Sequence, residues 1–248
     1  MIGKKIHHFD TIDSTNSYAL RLISTEEVKE GTVIQAGYQS SGRGQMSKSW
    51  EGNSAENVYM SVILKPIFLA LQKQFFLNKI ASLAIIDVIN DYMKVDAKVK
   101  WPNDVYIGNR KTCGILIQNM LGGKTIQHTV IGIGLNVNQE GFSQSLPNPT
   151  SLKIESGKQF SIQEVITRVS SYLDFWYSEL KQGNYNKISY AYIDKLYKCD
   201  EESQFQSEGL YFSGIIRGID SSGKLMIEKY NGVHGYALHE IKMIINQG

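Results

Sequence analysis

Four segments of this 248-residue chain carry side chains whose types and spacing could do chemistry. The first is Gln39-Ser40-Ser41-Gly42-Arg43-Gly44-Gln45-Met46-Ser47-Lys48-Ser49-Trp50. Its glycines let backbone N–H groups approach a phosphate or carboxylate, and Arg43 and Lys48 supply charge. The bland alternative is a turn needing positive φ. The spacing is not a Walker loop, and no helix follows directly as a dinucleotide fingerprint requires. The second segment, Lys100-Trp101-Pro102-Asn103-Asp104, sets two polar side chains beside a lysine, where they could orient a nucleotide or a reacting amine. A Trp, a Pro and an Asn-Asp turn also make an ordinary strand end. The third, Lys111-Thr112-Cys113-Gly114-Ile115-Leu116, offers a cation ten residues past Trp101. A hairpin would return it to the pocket of Asp104; otherwise it is a solvated lysine. The fourth, Gly132-Ile133-Gly134-Leu135-Asn136-Val137-Asn138, alternates glycine with apolar residues. Such a strand suits close backbone packing, or a flat ligand lying on exposed main chain.

The elements that must position these segments follow from hydrophobic period and punctuation. Asp13 or Ser14 caps a helix running to Ile23, with Tyr18, Ala19 and Leu22 inward. Thr32–Ala36 and Val58–Leu64 read as strands, and the glycine segment connects them. A helical period covers Ala70 to Tyr92. Short strands follow at Ala97–Lys100, Val105–Ile107, Gly114–Gln118 and Thr125–Ile133, with turns at Asn109 and at Gly122-Gly123, so a meander of hairpins is expected, with Lys111 just before its third strand. Ser161 and Glu164 form a capping box that opens a long helix with Ile162, Val165, Val169, Leu173, Trp176 and Leu180 spaced for one buried face. A further helix spans Tyr185 to Tyr197. After Cys199 the pattern turns all-β, with strands at Gly209–Ile219, Lys224–Tyr230 and Val233–Leu238. The expected fold class is α+β: a mixed or antiparallel sheet with flanking helices over residues 1–198, and a small β domain over 199–248.

Composition bounds the function. With 42% hydrophobic and 20% charged residues, the chain is neither disordered nor a membrane protein. Twenty-six Lys and Arg against 24 Asp and Glu leave +2, too balanced for a nucleic-acid footprint. The first ten residues lack a secretory signal, and the most apolar stretch, Ile80 to Ile89, is half of what a membrane span needs. Cys113 and Cys199 form no CxxC pair, so neither zinc nor a disulfide framework is indicated. His7-His8, without partners at metal spacing, reads as an exposed strand or tail pair. No Ser/His/Asp elbow or cysteine nucleophile is present. A soluble cytoplasmic protein is expected.

Together, in this order and spacing, the segments resemble the catalytic core of biotin protein ligases (biotin–acetyl-CoA-carboxylase ligases). The resemblance rests on Ser14-Thr15-Asn16, Gly42-Arg43-Gly44, Lys100-Trp-Pro-Asn-Asp104, Lys111 with Gly114-Ile-Leu, and Gly132-x-Gly134-x-Asn136. Arg217-Gly-Ile-Asp220 and Gly223 look like the family's small SH3-like β-barrel, and Lys-Trp-Pro-Asn-Asp is the most specific run. The resemblance implies a class II synthetase-like core and a two-step reaction. Biotin and ATP, with Mg²⁺ held by phosphates and water, give biotinyl-5′-adenylate; a lysine of a biotin carboxyl carrier domain then takes the biotinyl group. It assigns Lys111, Asp104 and Arg43 to catalysis. Ser14, Thr15, Asn16, Gln39, Gly42, Arg43, Gly44, Gln45, Lys111, Gly114, Gly132 and Gly134 would contact biotin. Arg43, Lys48, Trp50, Asn103, Lys111 and Asn136 would contact ATP or the adenylate, Trp50 by stacking on adenine. It implies no dedicated metal cage, no membrane and no DNA: the Ser14 motif comes too early for the helix-turn-helix of repressor-type members. The family holds both monomers and dimers, so a homodimer stays open. Gln45 departs from the arginine frequent in the family. The competing readings are a lipoate or octanoate ligase or transferase on the same fold, an inactive biotin or nucleotide sensor, and, last, a repressor.

Overall fold

The computed structural model describes residues 1–245; the last three positions of the expected 199–248 unit lie outside the described residues. Seven strands form the main sheet: β1 (Ile6–Ile12), β2 (Thr32–Gln39), β3 (Asn57–Leu64), β4 (Ala97–Lys100), β5 (Asp104–Ile107), β6 (Arg110–Gly122) and β7 (Thr125–Asn136). Their order is β1-β2-β3-β7-β6-β5-β4. Only β1 and β2 run parallel, joined by helix α1 (Thr15–Thr25) as a crossover. The meander expected from residue 97 onward forms β4 to β7, each strand antiparallel to the next.

One face of this sheet is covered by α2 (Phe75–Tyr92), α4 (Ile162–Lys181) and α5 (Tyr185–Asp194), which carry the main core. Twelve of the 18 residues of α2 are buried, so it is packed nearly all round rather than along one stripe. The short helix α3 (Leu152–Ser156) precedes α4. Ser161 caps α4 by accepting from Glu164 N, and Val165, Val169, Leu173, Trp176 and Leu180 are all buried, as their spacing requires; Ile162, on the first turn, is half-buried at the edge of the core. The other face is covered at one end by α1, whose Ala19 and Leu22 pack on Ile34, Ile63 and Val130. Its other end is left open.

A second sheet holds β8 (Glu202–Ser207), β9 (Leu210–Ile219), β10 (Leu225–Lys229), β11 (Gly232–Tyr236) and β12 (Lys242–Ile244), all antiparallel. Its order is β11-β10-β9-β8-β12. The sheet fits the expected SH3-like domain, and among the described residues its ladder does not close. Phe205, Ile216, Leu225 and Ile227 join the same core cluster as the first sheet. Trp101 Nε1 donates to Gly223 O at 2.9 Å across the junction.

Candidate active site

Strand alternation builds the floor of the open end. Ile131, Ile133, Leu135 and Val137 face the core, so Gly132, Gly134 and Asn136 face the other way. Directly opposite them on β3 are Ser61, Tyr59 and Asn57. On β6, Leu116 lies opposite Gly132 and Gly114 opposite Gly134; on β5, Asp104 lies opposite Gly114. Same-face residues on a strand are ~7 Å apart, so the line from Gly132 to Asn136 is roughly 13 Å long. A cavity of about 960 Å³ opens above it.

The end under α1 is polar and tightly held. Ser14 caps the helix by accepting from Ser17 N, so Thr15 and Asn16 enter the cavity on the first turn. Thr15 donates to Gln39 Oε1 through its backbone N at 2.8 Å and its hydroxyl at 3.1 Å. Asn16 Nδ2 donates to Gln118 Oε1 at 2.9 Å and more weakly to Leu116 O at 3.3 Å. Ser61 Oγ lies 2.7 Å from Thr15 Oγ1 and 2.6 Å from Asn16 Oδ1. A Cβ on Gly132 would stand 2.1 Å from Asn16 Oδ1, so the amide lies flat on β7 only because that residue is glycine.

Trp50 occupies the middle. Cβ atoms on Gly134 and Gly114 would stand 2.3 Å and 2.6 Å from its ring, which therefore rests on this cross-strand glycine pair. Its indole N–H is buried without a partner among the described residues. The ring reaches this place from the end of a small loop hairpin, in which Trp50 N donates to Gly42 O and Gly44 N to Lys48 O. Gly42 itself is buried and does not line the cavity. A Cβ there would meet Trp50 O at 2.4 Å, so Gly42 admits the neighbouring strand of the hairpin. Arg43, Gly44, Gln45 and Lys48 all line the cavity.

The far end is charged. Lys111 Nζ lies 2.7 Å from Asp104 Oδ1, both side chains half-buried, and 5.4 Å from the Trp50 ring. Regular alternation from Cys113 and Ile115 would turn Lys111 toward the core. The β5–β6 register instead shifts: Val105 pairs with Cys113, but Tyr106 pairs with Lys111. Thr112 is the extra residue of this bulge, and it re-aims Lys111 to the cavity face. Lys111 is thus inside β6 rather than before it. Asn136 lines the cavity and donates through Nδ2 to Thr150 O, while its Oδ1 is buried without a partner among the described residues.

Two residues of the Lys100–Asp104 run have further surroundings of note. Asn103 lines the cavity, but its Nδ2 donates to Ile115 O at 2.6 Å, and Ile115 N donates back to Asn103 O. Its amide fastens β5 to β6. Lys100, not singled out as a site residue, lines the same cavity and makes no ion pair among the described residues. Burial pulls its ammonium below the ordinary lysine value; Lys111, Lys48 and Lys242 add to that effect and Asp104 opposes it. The β3 row of Ser61, Tyr59 and Asn57 was also missed; its signal is the two-residue period it shares with Gly132, Gly134 and Asn136. Among the described residues, no three His, Cys, Asp or Glu side chains gather as a metal cage.

This fold matches those of solved structures. The biotin protein ligase of Aquifex aeolicus in complex with biotin and ATP aligns with a TM-score of 0.83 over 98% of this chain and 100% of that one, at 24% identity. The Leishmania major biotin protein ligase in complex with biotinyl-5-AMP aligns with a TM-score of 0.65 at 19% identity, covering 94% and 99%. At these identities the likeness is one of fold. In sequence, the bifunctional ligase/repressor BirA of Bacillus subtilis is 29% identical over 94% of this chain and 72% of its own length. The biotin–[acetyl-CoA-carboxylase] ligase of Paracoccus denitrificans is 27% identical over 87% and 90%. The Biotin/lipoate A/B protein ligase family matches residues 8–136, more than half of the chain and nearly all of the site described above. The chain belongs to that family.

Proposed function

We propose that the chain is an ATP-dependent biotin protein ligase that makes biotinyl-5′-adenylate and passes the biotinyl group to a lysine of a biotin carboxyl carrier domain. One observation carries this reading: a polar clasp (Thr15, Asn16, Gln39) and a lysine–carboxylate pair (Lys111, Asp104) stand at opposite ends of one glycine-floored slot. The clasp suits a neutral, cyclic urea with donors and acceptors on one edge. The slot suits an apolar ring and chain. The lysine suits the point where a carboxylate meets a phosphate.

In the first step a carboxylate oxygen attacks the α-phosphorus of ATP, and the bond to pyrophosphate breaks. Two anions must approach, so a cation fixed beside them lowers the barrier electrostatically. Lys111 holds that place, with Arg43 and Lys48 on the loop above. Mg²⁺ enters as part of the nucleotide substrate, held by phosphate oxygens and water. In the second step the carrier amine attacks the acyl carbon, loses a proton, and AMP leaves. Asp104, paired with Lys111 at the cavity edge, orients that amine. Trp50 shares the floor with any ring bound there, so it lifts to cover the ligand, and the free Asn136 Oδ1 accepts from the adenine amino group. Residues from about 199 onward act as a second unit whose Gln206–Gly209 and Leu238–Ile245 segments wall the cavity.

The runner-up is a lipoate or octanoate ligase. Mass spectrometry of the protein mixed with ATP, Mg²⁺ and each acid separates them. A biotinyl-adenylate mass with biotin alone is expected; an adenylate of lipoate or octanoate, with none of biotin, would overturn the reading.

A further inference from the structure

Behind the slot lies a buried polar unit that none of the chemistry above uses. Asn57 and Tyr59 stand on β3 beside Asn136 and Gly134. Gln139 follows three residues after Asn136. All three are almost fully buried (1%, 2% and 4% exposed), and none lines the cavity. Burying this much polar surface is costly unless every group finds a partner.

The partners lie on the loop that carries Trp50. Gln139 Oε1 accepts from Asn53 N at 3.0 Å, and Tyr59 OH donates to Asn53 O at 2.9 Å. Asn53 is thus gripped at both of its backbone polar groups by buried side chains. Asn57 ties the two grips together: its Nδ2 donates to the Tyr59 oxygen at 3.1 Å and to Gln139 Oε1. Its Oδ1 accepts from Val137 N at 3.0 Å, one residue past Asn136. Gly52 lets the chain descend this far, since a Cβ there would stand 2.3 Å from the Tyr59 oxygen. Burial also pushes the Tyr59 phenol up to about 12, so it stays a donor at any working pH.

We propose that Asn57, Tyr59 and Gln139 are positioning residues that anchor the loop at Asn53, three residues past Trp50, and so limit how far the indole lifts from the Gly114–Gly134 floor and from Asn136 when a ligand enters. Two walls of the slot, one on a loop and one on a strand, are thereby held by one hydrogen-bonded unit. A loop fixed only at its ends would let the indole rise and the activated intermediate escape or meet water. This inference rests on the reading of the slot as an acyl-adenylate site.

The test uses the full chain with Tyr59→Phe, which keeps the ring in the core and removes only the O–H, and with Gly52→Ala, which wedges the loop upward. Losing one net hydrogen bond of the grip should speed the appearance of free biotinyl-adenylate, with no carrier supplied, by about fivefold. Amide hydrogen exchange should quicken in a peptide covering residues 42–56. Amide exchange in β6 and α2 should stay at the parent values. If both variants leave loop exchange and adenylate release unchanged, the proposal is overturned. If exchange quickens equally throughout the sheet, the unit is merely structural and the proposal is overturned as well. A parent protein that makes no adenylate refutes the proposed function instead, and loop exchange still decides the positioning role.

Discussion

Gly134→Ala tests the central feature of the site, the contact between a loop tryptophan and a glycine floor. The added Cβ would stand 2.3 Å from Trp50 Cε2, 2.6 Å from Nε1 and 2.7 Å from Cζ2. Carbon atoms in contact settle near 3.5–4.0 Å, so the indole has to rise by more than an ångström. β7 cannot yield, because it is hydrogen-bonded between β3 and β6 along its length. Overpacking of a rigid interior costs about 1–3 kcal/mol. Trp50 sits on a loop and is only half-buried, which places this substitution near 1 kcal/mol, or a Tm lower by roughly 2–4 °C in a chain of this size. The effect on chemistry should be larger, since a misplacement of ~1 Å at a reacting centre can cost 10²-fold.

A double-mutant cycle with Trp50→Ala makes the reasoning refutable. Without the indole the added methyl group has no ring to displace, so its stability cost should vanish and a coupling of about 1 kcal/mol should appear. Biotin-dependent pyrophosphate exchange should fall about a hundredfold in Gly134→Ala and stay low in the double mutant, because the ligand uses the same floor. Strictly additive melting temperatures would show that Trp50 does not rest on Gly134. Parent-level exchange by Gly134→Ala would show that the slot is not where the acid binds.

Two further outcomes follow from charged residues. Lys111→Ala should slow adenylate formation by on the order of a hundredfold, as for other lost transition-state charge contacts, with little change in melting, because its partner Asp104 is solvent-reached; pyrophosphate release at the parent rate would refute its role. Lys79 is 5% exposed on α2, hydrogen-bonded to Ser189 Oγ at 3.0 Å and flanked by Phe76 and Tyr192. Burial lowers its pKa from 10.5 to about 8. Below about pH 8 the ammonium is charged in both folded and unfolded chains, and the folded state bears the full desolvation cost. Between about 8 and 10.5 the unfolded chain binds more protons, so stability should rise with pH, by about 3 kcal/mol in all. Lys79→Met should remove that rise in urea melts at pH 7, 9 and 10; an identical slope in mutant and parent would refute it.

The chemistry-bearing segments were legible because glycine, charge and Lys-Trp-Pro-Asn-Asp are visible one residue at a time. Register was not. Lys111 looks like a residue of a turn, since nothing in Arg-Lys-Thr-Cys-Gly marks Thr112 as the bulge that turns the lysine inward. Tyr59 and Ser61 look like ordinary members of an apolar strand, and only pairing with β7 reveals them beside Gly134 and Gly132. The short or polar strands escaped for another reason. β8 reads Glu-Ser-Gln-Phe-Gln-Ser and has one buried side chain, while β12 has three residues. Neither carries a hydrophobic period, because half of a small open sheet faces solvent. Closure into a barrel depends on the pairing of first and last strands, which no local pattern encodes.

The Lys100–Asp104 segment shows why one short run is so informative. Trp101 donates to Gly223 and thereby fastens the second sheet beside the cavity. Asn103 exchanges hydrogen bonds with Ile115 and fixes β5 against β6. Those two side chains bond to protein, whereas Lys100 and Asp104 face the cavity, the carboxylate already paired with Lys111. The segment is a tight strand connection, with Lys100 and Asp104 opposite one another in register. No residue in it can move without shifting a neighbour of the other kind. Structural and chemical demands thus fall on neighbouring residues of a single turn. A rigid floor carrying the charged groups is what the first step of the proposed reaction needs, because reacting anions must be held in line. The proposed second step needs a covering that opens to a protein substrate. That part is left to the hairpin above the floor, anchored beyond Trp50 by the grip at Asn53.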